Sequence, residues 1–450
     1  MKKLIALLLA LVMVMSLAAC TAPAPAADAD QPGQETTKAP ENNNDQQDPP
    51  AGGDKENVKI EVYIAQVDWA DAWDVMEAKF EEEHPWIDVE HVGLGEDTTF
   101  LQTRLSTNDL PDVIQINKNP TWEAMVQQGL LTDLTGYECA AVMPDAYKAA
   151  YSVDGKLLGM CQGAAFSCMF YNMAILEEAG WTAPPANWDE LLKCCADVAA
   201  LGYAPLVTAA GKTTTSWMLF ECILANVNNG SVEYEEAFKA GTFDFGQFPE
   251  VAARLDAIAP YFLEGTAAAM EEDAIAYMTD GLAAMCLAGN WNGSQIADAI
   301  ATATGDPSKA AASLPPFGAN GVNWISTSPE DAFAVTVNPN RTAAEQEAVD
   351  TFFNWVFEAE NFALIQNARG TVPVITNMTS EYIKLPECVV PVVADMGSAP
   401  FVLMGFNLWA AEFSDAANGK IRDLLSGGAT GQDVLDIMVA TLPNSYRNAG

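Results

Sequence analysis

The stretch from Val58 to Val89 most constrains what this chain can fold into. Ile60, Val62 and Ile64 alternate with Lys59, Glu61 and Tyr63, the period of a strand with one covered face. Trp69, Trp73, Met76 and Phe80 follow at helical spacing, with Asp68 placed to cap the helix and His84-Pro85 to end it. Ile87 and Val89 open a second alternating run. Strand, helix and strand in that order make a right-handed crossover between parallel strands, so the pattern predicts an α/β fold on a doubly wound parallel sheet. A third strand is expected over residues 111–117, after a helix through Phe100, Leu101 and Leu105. Trp122, Met125 and Val126 mark another helix.

Ahead of this unit lie two segments that do not belong to the core. Lys2 and Lys3 precede an apolar run from Leu4 to Met15, too short to span a membrane, and Leu17-Ala18-Ala19-Cys20 closes it. These residues resemble a bacterial lipoprotein signal. The resemblance implies a signal peptide over 1–19, cleavage and lipidation at Cys20, and an anchor on the outer face of the cell membrane. The alternative is an ordinary signal peptide with a chance cysteine. Residues 21–56 lack aromatic and large aliphatic side chains, and they read as a disordered tether.

Residues from about 57 onward are too many for one ordinary core and suit two domains. The chain carries 61 Asp+Glu against 21 Lys+Arg, a net charge of −40. Such a surface repels nucleic acid and anionic lipid, so neither is an expected partner. Eight cysteines follow Cys20, mostly in Ala- and Met-rich runs, where free thiols act as small core residues. There is no C-x-x-C, and His84 and His91 are the only histidines, so neither a metal site nor a cofactor is expected.

Further along, Asp154-Gly155 predicts a tight hairpin, and residues 157–171 are almost continuously apolar. Asn187 with Glu190, and Thr342 with Glu345, read as capping boxes opening helices. The second of these helices carries Val349, Phe352, Phe353, Val356 and Phe357. Helical patterns also fill 202–300 and about 407–440, with no fixed-period repeat.

Several short stretches, in their order and spacing, resemble the family-1 extracellular solute-binding proteins of ABC transporters, the maltose-binding-like group. They include Phe80 to Val89, Asp109-Leu110-Pro111-Asp112-Val113, Asp154-Gly155-Lys156, Tyr171-Asn172, Glu177 to Gly180 and Asn187 to Leu192. Gly281 to Met285, Gly289-Asn290-Trp291, Leu314-Pro315 and Arg369 to Pro373 complete the set. The resemblance implies the two-lobe, type II periplasmic-binding-protein-like fold, with hinge crossovers and a central ligand cleft. It places one lobe at 57–165 and 316–340 and the other at 166–315 and 341–450, with crossings near Ala164–Ser167, Leu314–Gly318 and Asn338–Arg341. It implies a monomer without catalytic activity that captures a solute and delivers it to the membrane permease.

A sugar presents hydroxyls around its ring and C–H groups on its faces, so its site needs flat aromatic surfaces and planar polar groups. The chain has 11 tryptophans. Trp291, after Gly289 and Asn290, matches the resembled family's Gly-x-Trp and is the first stacking candidate, against a packing role. Trp409 and Trp217 come next, whereas Trp73, Trp188 and Trp355 share helical spacing with apolar neighbours and read as core. Gln66, Asp68 and Asn117 fall at strand ends, where open α/β sheets hold ligands, although Asp68 serves equally as a helix cap. Arg369 either donates to ligand or braces its turn, and the resemblance implies a structural role for Asp112. A carbohydrate is the expected solute, with a polyamine or peptide on the same fold, or a lipid-anchored glycoside hydrolase, as alternatives. The hydrolase needs two carboxylates facing each other across a cleft, and no hydrolase motif is present.

Overall fold

The structure, a computed structural model, describes residues 55–65, 70–92, 99–228, 237, 242–319, 321–369, 372–379, 381–396, 399, 401–403 and 411–445. Strand β1 (Val58–Tyr63) buries Val58, Ile60 and Val62 and leaves Lys59 exposed. Helix α1 (Ala70–Glu83) buries Trp73, Met76 and Phe80 and stops at His84-Pro85. β2 (Ile87–Val92) runs parallel to β1, with Val89 opposite Ile60. Helix α2 (Thr99–Ser106) leads to β3 (Val113–Ile116), parallel to β1 on its other side. All four β3 residues are buried, as expected of a central strand covered on both faces. Asn119 caps α3 (Pro120–Gln127) by accepting from Trp122 N at 2.9 Å. The hairpin joining Ser152–Val153 to Lys156–Leu157 turns through Asp154 (φ 52°) and Gly155 (φ 78°), the left-handed pair a two-residue turn requires.

β4 (Met160–Cys161) belongs to this first sheet, and β5 (Gly163–Asn172) is the central strand of a second one. All ten β5 residues are buried. Phe166, Cys168 and Phe170 enter one core and Met169 and Tyr171 another, which accounts for the continuous apolar run. Asn187 caps α4 (Trp188–Ala200), while Glu190 reaches back to Ala186 N at 2.9 Å. There follow β6 (Ala204–Thr208), α5 (Thr213–Val227), α6 (Pro249–Ile258), α7 (Glu271–Thr279) and β7 (Ala283–Gly289). Next come α8 (Gly293–Thr304), β8 (Ala310–Ser313) and β9 (Ile325–Pro329). β10 (Ala332–Val335) then returns to the first sheet, whose order is β2-β1-β3-β10-β4. Helices α9 (Ala343–Val356) and α10 (Ala359–Arg369) precede β11 (Val372–Pro373), which pairs with β5. β12 (Phe401–Leu403), α11 (Ala411–Leu425) and α12 (Gly431–Ser445) complete the second lobe, with sheet order β12-β9-β5-β7-β6.

Two α/β lobes joined by crossing strands are therefore present, but the crossings fall elsewhere than expected. The first is at Gln162, between β4 and β5. The second is at Glu330-Asp331, because β8 and β9 still pair with β5. The chain then touches the second sheet at Val372–Pro373, returns to the first core with Ile375 and Met378, and reaches the second lobe's core again at Val389. Residues 316–329 thus belong to the second lobe and 341–369 to the first. The physical reason is the apolar face of α9. Phe352 meets Phe80 edge-on at 5.0 Å, and Val349, Phe353 and Val356 join the same core as Ile60. Arg341, expected at a crossing, instead pairs with Asp112 at 2.7 Å within the first lobe.

The eight described cysteines are free, and seven are buried. Burial pushes the thiols of Cys139, Cys194, Cys222 and Cys286 up to about 12 and that of Cys388 to about 11. No helix among the described residues is long and apolar enough to cross a membrane.

Candidate functional site: the interlobe cleft

The crossing strands bring like ends of the two sheets together. At the C-terminal end of β3, Ile116 faces Ala332 of β10, which in turn faces Cys161 at the first crossing. In the second sheet Gly289, the last residue of β7, faces Ser167 midway along β5, and Asn290 just beyond it bonds the backbone of Ala164 and Phe166 near the first crossing. Carboxyl ends of strands from both lobes thus flank the same crossings, the position at which open α/β sheets hold ligands. The crossings are tied to each other. Gln162 N donates to Asp331 O at 3.1 Å, and Glu330 N donates to Gly163 O at 2.9 Å.

On the first lobe this edge carries a buried amide relay. Gln115 of β3 accepts from Ala65 N at 3.0 Å, and its own amide donates to Gln162 Oε1 at 3.5 Å. Both glutamines are fully buried. Their signal was present in the sequence as single polar residues inside apolar runs, Val-Ile-Gln-Ile and Met-Cys-Gln-Gly. Asn117 lies exposed just beyond β3, its carbonyl accepting from Asn119 N at 2.8 Å. Gln66 and Asp68 lie outside the described residues, as do Cys20 and Trp409.

On the second lobe the centre is the turn after β7. Asn290 is fully buried and braces the backbone. Its Oδ1 accepts from Phe166 N at 2.8 Å, and its Nδ2 donates to Ala164 O at 3.0 Å. That role corrects the expectation of ligand contact, since both ends of the amide are committed to β5. Trp291 is half-buried and packs against Ala165 and Met218. Its indole folds back over Gly289, where a Cβ would come within 2.4 Å of the ring. Trp291 Nε1 donates to Glu271 Oε1 at 2.8 Å, and Lys212 Nζ meets Glu271 Oε2 at 2.9 Å. Neither Lys212 nor Glu271 was found from the sequence, because they lie 59 residues apart and in no shared motif.

Trp217 is corrected as well. It is fully buried in α5, stacks on Phe413 with centroids 5.9 Å apart, and donates to Ser414 Oγ at 2.8 Å. No face of its ring is open to a ligand. Trp73, Trp188 and Trp355 are core residues, as their spacing indicated. Arg369 ends α10, and its side chain lies outside the described residues. Among the described residues one group gathers three potential metal-ligating side chains, Asp74, Glu77 and His91. In it His91 Nδ1 lies 2.9 Å from Glu77 Oε1, the geometry of a hydrogen-bonded pair, and burial raises the Glu77 carboxyl above its ordinary value.

Two α/β lobes, a hinge of crossing strands and a half-exposed indole at the facing strand ends define a binding protein of the two-lobe class. The chain matches the description bacterial extracellular solute-binding protein over residues 76–388, and it belongs to that family. It is 29% identical over 141 residues to the multiple sugar-binding protein of Streptococcus mutans, a match covering 31% of this chain and 33% of that relative. Only a third of that relative's length is therefore matched. Among solved structures, a chitin oligosaccharide binding protein is similar with a TM-score of 0.72 and 18% identity, over 87% of this chain and 100% of the other. The solute-binding protein RafE in complex with raffinose is similar with a TM-score of 0.72 and 18% identity, over 86% and 99%. At such identities these likenesses bear on the fold.

Proposed function

We propose that this protein captures a carbohydrate, an oligosaccharide, in the cleft between its lobes and delivers it unaltered to an ABC permease. The observation that carries the reading is Trp291, a half-buried indole beside the crossing strands, seated over Gly289 with its nitrogen donating to Glu271. A flat apolar face of this kind suits the C–H face of a pyranose. The sugar ligands named for the Streptococcus mutans relative and for the two structural neighbours support the same class of solute. Capture without cleavage is favoured because Glu271, the carboxylate beside the indole, is already bound by Lys212 and Trp291. An acid poised for glycoside cleavage or a seat for a polyamine would need that charge uncommitted.

The direct test is thermal unfolding with a panel of mono- and oligosaccharides, spermidine and peptides. A true ligand at about 100 times its Kd adds about 2.7 kcal/mol. Stabilisation by spermidine and by no sugar would refute the reading.

Membrane tethering through Cys20 belongs to the same proposal. Two acyl chains on Cys20 anchor stably where one does not, and the polar segment 21–56 keeps the lobes concentrated near the permease. Cys20→Ser should move the protein from the membrane fraction into the medium, and retention on the membrane would contradict lipidation there.

A further inference from the structure

We propose that Glu271, backed by Lys212, is a positioning residue that fixes the ring of Trp291, so that ligand is met by the indole face and not by the indole N–H. The inference rests on reading Trp291 as the stacking residue.

Three segments distant in sequence converge on this point. Trp291 comes from the turn after β7, Glu271 is the first residue of α7, and Lys212 lies in the loop between β6 and α5. The last two are joined through the backbone, since Gly211 N donates to Ala269 O at 2.9 Å. The start of α7 is itself held by Met270 N donating to Asp273 Oδ2 at 2.9 Å. Glu271 therefore projects from a fixed platform, with a side-chain exposure of 18% against 26% for Lys212.

The indole is restrained on three sides. Gly289 lies beneath the ring, Ala165 and Met218 pack against it, and Glu271 holds its nitrogen. Indole has one donor and no acceptor, and that donor is committed to Glu271. What Trp291 can offer a ligand is its remaining face, which selects for apolar ring surfaces over groups seeking a hydrogen bond. Holding a large side chain in its bound orientation also removes an ordering cost of binding. Lys212 pairs with the carboxylate that does the holding, which offsets its charge beside the ring.

The test has a ligand-free arm and a ligand arm. Protein labelled with 5-fluorotryptophan is compared by fluorine NMR with its Trp291→Phe variant, which assigns the Trp291 resonance by its loss. Glu271→Ala should shift and broaden that resonance, and Glu271→Gln, which keeps the acceptor, should leave it near the wild-type position. In calorimetric titration with raffinose, Glu271→Ala should weaken binding about three- to tenfold, and Glu271→Gln less than about twofold. The double variant Trp291→Phe/Glu271→Ala should be no weaker than Trp291→Phe alone. An unmoved Trp291 resonance in Glu271→Ala overturns the positioning role. Additive losses in the double variant also overturn it, since they assign Glu271 a contact of its own with ligand. Without saturable raffinose binding by wild type, the resonance alone decides the positioning role.

Discussion

Trp291→Ala is expected to weaken oligosaccharide binding about 30-fold, an effect of about 2 kcal/mol, while leaving the fold intact. The size follows from the place of the residue. Trp291 is a large, half-buried aromatic, and its neighbours Gly289, Ala165, Met218 and Glu271 already hold it in position. Truncation removes the stacking surface and the restraint together. The fold should survive because Trp291 packs in a small satellite cluster apart from the two main cores of the second lobe. Calorimetric titration measures the loss, and circular dichroism confirms the fold. An unchanged Kd would assign the ring to packing.

The largest expected effect on stability lies at the opposite end of the first sheet. Arg341→Met should destabilise the first lobe by about 3 kcal/mol, as removal of one partner leaves a largely buried charge uncompensated. The Arg341 side chain is 4% exposed and that of Asp112 19%. Arg341 donates to Asp112 Oδ1 at 2.7 Å, to Thr336 O at 3.1 Å and to Gln346 Oε1 at 3.1 Å. Asp112 also accepts from Glu61 N at 3.0 Å. The cluster thus joins β1, the start of β3, the end of β10 and the entry to α9. Asp112→Asn should cost less, because the amide still accepts from Glu61 N. Urea unfolding gives the difference. Since Asp112 precedes β3 and the cleft lies beyond its other end, ligand affinity should not change. Lost affinity at unchanged stability would contradict this placement.

Local pattern made the first βαβ unit readable, because a strand covered on one face and an amphipathic helix each leave a short-range period. Lobe boundaries were not readable in the same way. The apolar face of α9 says that the helix packs, but not on which of two sheets, and Arg341 meets a partner 229 residues away. The tryptophans divide along a similar line. Trp217 and Trp291 both follow small polar residues, yet α5 is buried from Thr215 to Asn226. Its all-round apolar sequence, Trp-Met-Leu-Phe followed by Cys-Ile-Leu, carried that sign, because a helix apolar on every side lies inside. Nothing local marks Lys212 and Glu271 as a pair. Their meeting is a product of the second sheet's topology, which sets the loop after β6 beside the start of α7.

The central claim, capture of a sugar without turnover, is tested most directly by titrating the purified protein with raffinose, chitin oligosaccharides, other oligosaccharides and spermidine in a calorimeter, then recovering the ligand. Saturable one-to-one binding of at least one oligosaccharide, recovered uncleaved, is the predicted result. Binding of spermidine and no sugar, or release of new reducing ends, would contradict it.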